Sequence, residues 1–297
     1  MQSAADLDPA AKAAVLTEAL PYIRRFWDRV VVVKHGGAAM AAGEATPRSP
    51  EADLASFASD VVLMRSVGML PVVVHGGGPQ IGEWMARTGK SPVFHEGLRV
   101  TDAETLDIVR MVLVGKVNRE IVAAINAHGP LAVGLSGEDA RLITASVHSE
   151  GRLGYVGEVT AVDPTIVRRV LSEGLIPVIA TIGTDLAGQS YNINADTVAG
   201  EVAAALSAEK LVYLTDVDGL RRDRADPGSL VHQISVGDLE AMVADGTVAG
   251  GMIPKAQACI QAVKAGVGHA HILNGRIPHV LLLEIFTKAG IGTMVSP

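Results

Sequence analysis

Val30-Val31-Val32-Val33-Lys34-His35-Gly36-Gly37 is the stretch on which the reading of this chain turns. Four consecutive β-branched residues without polar alternation predict a strand buried on both faces, as in the middle of a parallel sheet. Lys34 near its end, with Gly36 and Gly37 just beyond, sets a positive charge beside bare backbone N–H groups that can close on an anion. Taken alone, the segment reads equally well as a strand ending in a tight turn with Lys34 in solvent. The pattern then recurs in Pro71-Val72-Val73-Val74-His75-Gly76-Gly77-Gly78-Pro79, where Pro79 suits the first turn of a helix. Two such turns in one sheet can face each other across the carboxyl ends of the strands, where open α/β folds bind ligands.

Neither copy is a common nucleotide fingerprint. A Walker A loop would need glycine ahead of Gly89-Lys90-Ser91 where Trp84 stands, and a dinucleotide motif would need its third glycine where Ile81 stands. Gly134-Leu135-Ser136-Gly137 begins like a hydrolase elbow but continues into Glu138, which argues against a serine nucleophile.

The 297 residues suffice for one large α/β domain or two intimate lobes. A hydrophobic fraction of 48% with 19% charged residues fits a soluble globular protein, and a formal charge of -7 argues against nucleic-acid binding. A single cysteine, Cys259, excludes an internal disulfide and a cysteine-based zinc site and fits a reducing cytoplasm. No run approaches the roughly 20 apolar residues that span a bilayer, and no signal peptide is evident, so a cytoplasmic location is expected.

Along the chain, Val15, Leu16, Ala19, Leu20, Ile23 and Phe26 predict a helix over 9–27, kinked at Pro21, that docks on its own subunit or on a neighbour. Leu54, Phe57, Ala58 and Val61 mark a second helix. Strand, glycine turn and helix then alternate, so a mostly parallel sheet with helices on both faces is the economical topology. A hairpin is expected between Pro92 and Val100. Thr101 with Glu104 predicts a capping box for a helix reaching about Ala127. Arg99 is placed either to fork onto a ligand carboxylate or to pair with Glu96 or Asp102. Asp163-Pro164 starts a helix, and Leu175 to Ile179 is a buried strand.

In Tyr191-Asn192-Ile193-Asn194-Ala195-Asp196, an extended backbone would point Asn192, Asn194 and Asp196 to one side. Burying three polar groups calls for a function, while N-capping by Asn194 or Asp196 is the alternative. Lys210 to Leu214 is a strand ending in Thr215-Asp216-Val217-Asp218-Gly219, whose spacing is not that of an EF-hand. Gly250-Gly251-Met252-Ile253-Pro254-Lys255 repeats the glycine theme with a lysine in the first helical turn, unfavourable to the helix dipole unless an anion is present. His269 and His271 alternate on a final strand without metal-ligand spacing, so no metal site is expected.

These motifs, with Gly97 to Asp102 and Gly115-Lys116-Val117-Asn118, occur in the order and spacing of the amino acid kinase family, which the chain resembles from about residue 30 onward. The resemblance implies a three-layer αβα sandwich: an N-terminal helical extension over 1–28 and a kinase domain over 29–297. Its lobe at about 29–180 would bind the amino acid, and that at about 181–297 the ATP. It also implies phosphoryl transfer from ATP, carried with Mg²⁺, to the side-chain carboxylate of N-acetyl-L-glutamate, the second step of arginine biosynthesis. By the same resemblance Gly76, Gly77, Arg99 and Asn192 bind the substrate, Lys34 and Lys255 neutralise the migrating phosphoryl group, and Asp196 holds the two lysines. Gly36 and Gly37 line the phosphates, and Thr215, Asp216, Asp218 and Gly219, with Lys255, complete the ATP site.

The chain departs from the family's usual residues at His35, Ala38, Glu138 and Arg141. Family members inhibited by arginine carry a comparable N-terminal helix that interlaces dimers into a hexamer. The resemblance therefore implies a trimer of dimers and an inhibitor site at Tyr22, Lys210, His271 and Glu284. A sister kinase acting on glutamate, aspartate, carbamate or UMP, or a non-catalytic sensor of nucleotide and arginine, would share much of this pattern.

Overall fold

The structure, a computed structural model, describes residues 8–36, 49–223, 226–287 and 290–297. Asp8 caps α1 (Pro9–Phe26) by accepting the Ala11 N–H at 2.8 Å, and Pro9 opens the helix where a missing N–H costs nothing. The helix contains Pro21 and buries only Phe26, leaving Val15, Leu16 and Leu20 exposed by 58, 72 and 43%. The valine run forms β1 (Val30–His35), and Ser49 caps α2 (Pro50–Ser66), which returns to β2 (Leu70–His75) and α3 (Gly78–Arg87).

The expected hairpin is present as β3 (Phe94–His95) and β4 (Leu98–Arg99), turning through Glu96 and Gly97, both at positive φ. The capping box is not. Thr101 is drawn into the fold, bridging to Gly154 and accepting from Asn192, so Asp102 caps α4 (Ala103–Arg110) and Glu104 pairs with Lys90 instead. A π-helical segment, Met111–Val117, then joins α4 to α5 (Asn118–Asn126), which ends close to the expected position.

Next come β5 (Ala132–Ser136), β6 (Ile143–Val147), β7 (Val156–Val162), α6 (Thr165–Ser172), β8 (Ile176–Ala180), β9 (Ile182–Thr184) and β10 (Ser190–Ile193). The chain closes with α7 (Ala195–Ala205), β11 (Lys210–Thr215), β12 (Gln233–Ser235), α8 (Val236–Ala244), α9 (Met252–Lys264), β13 (His269–Asn274), α10 (Val280–Phe286) and β14 (Thr293–Ser296). The histidine-bearing strand is therefore not the last, because β14 pairs antiparallel to it.

The main sheet runs β12-β14-β13-β11-β1-β2-β8-β5, with β1 between β2 and β11. Six strands are parallel, and only β14 and β12 at one edge run the other way. Alternate valines build two cores. Val32, Val72 and Val74 pack with Val198, Val202, Cys259 and Ala262 on one face. Val31, Val33 and Val73 pack with Phe57, Val61, Ile121 and Leu281 on the other. Each valine side chain buried in this way contributes about 1.5–3 kcal/mol, which is why the run is unbroken by polar residues. This is the expected three-layer sandwich. No described helix is long and apolar enough to cross a membrane.

Strands β6, β7, β9 and β10 close into a small barrel that the sequence did not announce, since alternating Thr, Ser, Ala and Gly weaken the apolar signal. It stands at the carboxyl ends of β5 and β8, joined to β8 through Thr181 alone. Gly137 sits at that junction, where an added Cβ would lie 2.0 Å from the Ile182 carbonyl oxygen. Backbone cannot give way there as a side chain could. Gly137→Ala should therefore destabilise the fold by about 1–3 kcal/mol in denaturant unfolding. Gly115→Ala, where the added methyl meets open space, should not; equal losses in both would refute the steric reading.

Candidate active site

The residues singled out in the sequence converge at the carboxyl ends of the parallel strands. Lys34 is the penultimate residue of β1, Asp196 lies in the first turn of α7 and Lys255 in the first turn of α9. Lys34 Nζ lies 2.8 Å from Asp196 Oδ1, and Lys255 Nζ lies 3.3 Å from Oδ2. One carboxylate thus holds two ammonium groups drawn from residues more than half the chain apart. Burial works to raise the Asp196 carboxyl, but the charges of and hydrogen bonds from Lys34 and Lys255 prevail, and it titrates below the usual carboxylate range.

The three polar residues before α7 do not alternate along one strand as expected. β10 ends at Ile193, and Asn194 takes the N-cap, accepting from the N–H groups of Asp196 and Thr197. The capping alternative therefore holds for Asn194, while the strand-to-helix bend carries Asp196 to the lysines. Tyr213, which sequence reasoning passed over, donates its hydroxyl to the Asp196 carbonyl at 3.1 Å from below. A tyrosine inside an apolar strand is the signal that could have found it, since its hydroxyl must have a partner.

Lys255 also lines a cavity of about 520 Å³ with Asp216, Val217, Asp218, Gly219, Leu220, Arg221, Thr247, Val248, Ala249, Gly251 and Met252. Thr215 does not line it; its hydroxyl accepts the Val217 N–H and lies 3.0 Å from the Val217 carbonyl, shaping the turn. Asp218 is fixed by Arg221 and by Asn274. At Gly219 (φ +147°) a Cβ would lie 2.7 Å from Thr293 Oγ1, so the turn tolerates no side chain as β14 passes.

On the other side, Gly76 and Gly77 follow β2 directly, and Gly36 follows β1. Cβ atoms at Gly36 and Gly77 would lie 3.0 Å from the Leu214 carbonyl oxygen and 2.7 Å from Leu113 Cδ2. Gly37 lies outside the described residues, as does Ala38. Arg99 is buried, donating to the Gly78 carbonyl at 2.9 Å, with its guanidinium 4.7 Å from the Phe94 ring centroid. It pairs with neither Glu96 nor Asp102, the latter being held by Lys90. Asn192 donates to Thr101 Oγ1 at 3.2 Å.

A second cluster lies at the far ends of β11 and β13. Lys210 Nζ is 2.9 Å from His271 Nε2, and His271 Nδ1 is 2.9 Å from Glu284 Oε1, all three side chains being largely buried. Burial lowers Lys210 to about 8 and His271 to about 4. Tyr22 packs half-buried on the core beneath α1, and Phe26 brings the same helix over Lys210, 5.3 Å from ring centroid to Nζ.

An αβα sandwich in which one carboxylate clamps two lysines, one of them lining the cavity, has the arrangement that phosphoryl-transferring proteins require. The amino acid kinase family profile matches residues 29–274, and the chain belongs to that family. It is 54% identical to the acetylglutamate kinase of Synechococcus sp. (strain RCC307), over 96% of this chain and 93% of that one. It is 51% identical to that of Moorella thermoacetica, over 98 and 99%. Among solved structures, the N-acetylglutamate synthase of Neisseria gonorrhoeae, complexed with coenzyme A and N-acetyl-glutamate, superposes with a TM-score of 0.82 at 28% identity. This chain spans 96% of itself and 63% of the synthase, which is also known complexed with coenzyme A and L-arginine. The carbamate kinase of Giardia lamblia bound to AMP-PNP shares the fold at 18% identity and a TM-score of 0.67, covering 91% of this chain and 98% of that one.

His35 points away from the lysines. It stacks on Phe57 with centroids 4.2 Å apart, and neither ring nitrogen has a hydrogen-bond partner. Burial, then the charges of His75 and Lys34, lowers its pKa to about 3. It is neutral in the fold, while the unfolded chain takes up a proton below about pH 6.5, so stability is lost as pH falls through that window. Between pH 5.5 and 4.5, His35→Phe should flatten the fall in unfolding free energy by about 1.3 kcal/mol per pH unit. An unchanged slope would overturn this placement.

Proposed function

We propose that the chain transfers the γ-phosphoryl group of MgATP to the side-chain carboxylate of N-acetyl-L-glutamate, forming the acyl phosphate of arginine biosynthesis. The observation that carries this reading is the Lys34–Asp196–Lys255 clamp at the edge of the 520 Å³ cavity. It is supported by extensive identity to relatives named for that activity.

The chemistry suits the residues. A side-chain carboxylate of pKa about 4.3 is already ionised at neutral pH, so the acceptor needs no general base. The obstacle is bringing it against a polyphosphate, since two like charges about 4 Å apart repel by on the order of 4 kcal/mol at an effective dielectric of 20. Lys34 and Lys255 neutralise the transferred group, and Asp196 keeps the two ammonium groups from separating. ATP takes the Asp216, Asp218 and Gly219 side of the cavity, behind the turn that Thr215 shapes, with Gly36 against its phosphates. The acetylglutamate carboxylates take the Gly76 and Gly77 amides, Arg99 and Asn192. Arg99 is suited to this because it has no carboxylate partner among the described residues. Mg²⁺ enters with the nucleotide, held chiefly by its phosphate oxygens.

L-arginine acts as a feedback inhibitor at Tyr22, Lys210, His271 and Glu284, and the uncovered stripe Val15, Leu16 and Leu20 joins dimers into a hexamer. The buried Lys210–His271–Glu284 cluster beside α1 supports the first statement, and the exposure of Val15, Leu16 and Leu20 the second.

Incubation with MgATP and a panel of acids, with hydroxylamine trapping of acyl phosphate, should give hydroxamate from acetylglutamate well above glutamate, aspartate or carbamate. None from acetylglutamate would refute the assignment. Lys255→Ala should lower kcat about 100-fold or more, the scale for removing one group that stabilises transition-state charge, with a much smaller change in KM for acetylglutamate. Sedimentation should give a hexamer, and millimolar arginine should inhibit; a dimer indifferent to arginine would remove the regulatory part alone.

A further inference from the structure

The Gly115-Lys116-Val117-Asn118 stretch has no part in the reading above, yet it leads directly to the substrate side of the cleft. Asn118 begins α5 at the end of the π-helical segment and is completely buried. Its Nδ2 donates to the Val178 carbonyl at 2.9 Å, has the Leu135 carbonyl at 3.4 Å and lies 3.0 Å from His75 Nε2, while its Oδ1 accepts from Arg119. Flipping the group would set its oxygen against the Val178 and Leu135 carbonyls, so the nitrogen faces His75, and an amide nitrogen donates but does not accept. His75 Nε2 is consequently an acceptor. His75, buried and lowered to about pKa 4 chiefly by that burial, is neutral and carries one proton. That proton must be on Nδ1, which lies 3.0 Å from the Gly76 carbonyl oxygen.

A trans peptide points its C=O and the following N–H in opposite directions. Holding the Gly76 carbonyl inward on His75 therefore turns the Gly77 N–H outward, toward the cleft. The π-helical segment braces the same turn from the side, with Leu113 and Val117 filling the space a Gly77 side chain would need. Segments of this helical type are commonly placed at functional sites.

We infer that His75, fixed in its Nδ1–H tautomer by Asn118, is a positioning residue that aims the Gly77 amide at the oxyanion of the acyl acceptor. This rests on the proposed phosphoryl transfer for its consequence in turnover, but not for its tautomer.

The test therefore has two arms. In ¹⁵N-histidine-labelled protein, with the His75 signals assigned by their loss in His75→Asn, Nδ1 should appear protonated and Nε2 bare. Nε2 protonation would overturn the proposal whatever the enzyme acts on. In the kinetic arm, His75→Leu should lower kcat about 10- to 100-fold while KM for ATP changes less than about twofold. His75→Asn, whose amide N–H can replace Nδ1–H toward Gly76, should recover most of the loss. Equal losses in two variants that melt like the parent would refute the positioning role. Absence of acyl phosphate from the parent would refute the assigned reaction and leave the tautomer result standing.

Discussion

The site depends on one carboxylate serving two ammonium groups. Buried charge is unfavourable unless matched, and Asp196 is matched twice, so the three-residue clamp itself carries one net positive charge. Because both lysines are tied to the same atom pair, neither can follow its own rotamer preferences into solvent. The electrostatic environment is set before any ligand arrives, which is the condition under which fixed charge contributes most to a transition state. The Tyr213 hydroxyl beneath the first turn of α7 extends the same constraint into the sheet.

The remaining architecture brings these groups together. Parallel strands put all their carboxyl ends on one edge, so turns that are remote in sequence become neighbours. Gly36 lets the chain pass close to the Leu214 carbonyl, and Gly77 lets it pass close to the Leu113 side chain, where a Cβ would crowd. The small barrel closes the far end of this edge and delivers Asn192 and, one bend later, Asp196.

How much was legible followed from how local each signal is. The valine runs at β1 and β2 and the glycines after them reveal the parallel sheet and its ligand edge, because buried strands and bare turns leave a compositional mark. Lys34, Lys255 and Asp196 stood out as charges beside glycine or helix starts. The barrel strands did not, as their alternation of Thr, Ala and Gly resembles loop. Thr101 looked like a cap until its tertiary partner Gly154 claimed it, leaving Asp102 to take the role. The π-helical segment had no visible mark, since its apolar residues also satisfy an ordinary helical period.

The placement of β1 between β2 and β11 has a bearing on how the molecule comes into being. β1 meets β2 about 40 residues away but β11 only some 180 residues later. Until that distant partner has left the ribosome, the central strand has one open edge. A nascent or truncated chain is thus an incomplete sheet and an unassembled catalyst at once. The bare edge is covered once β11 is made, whereas the site waits further for Lys255 on α9.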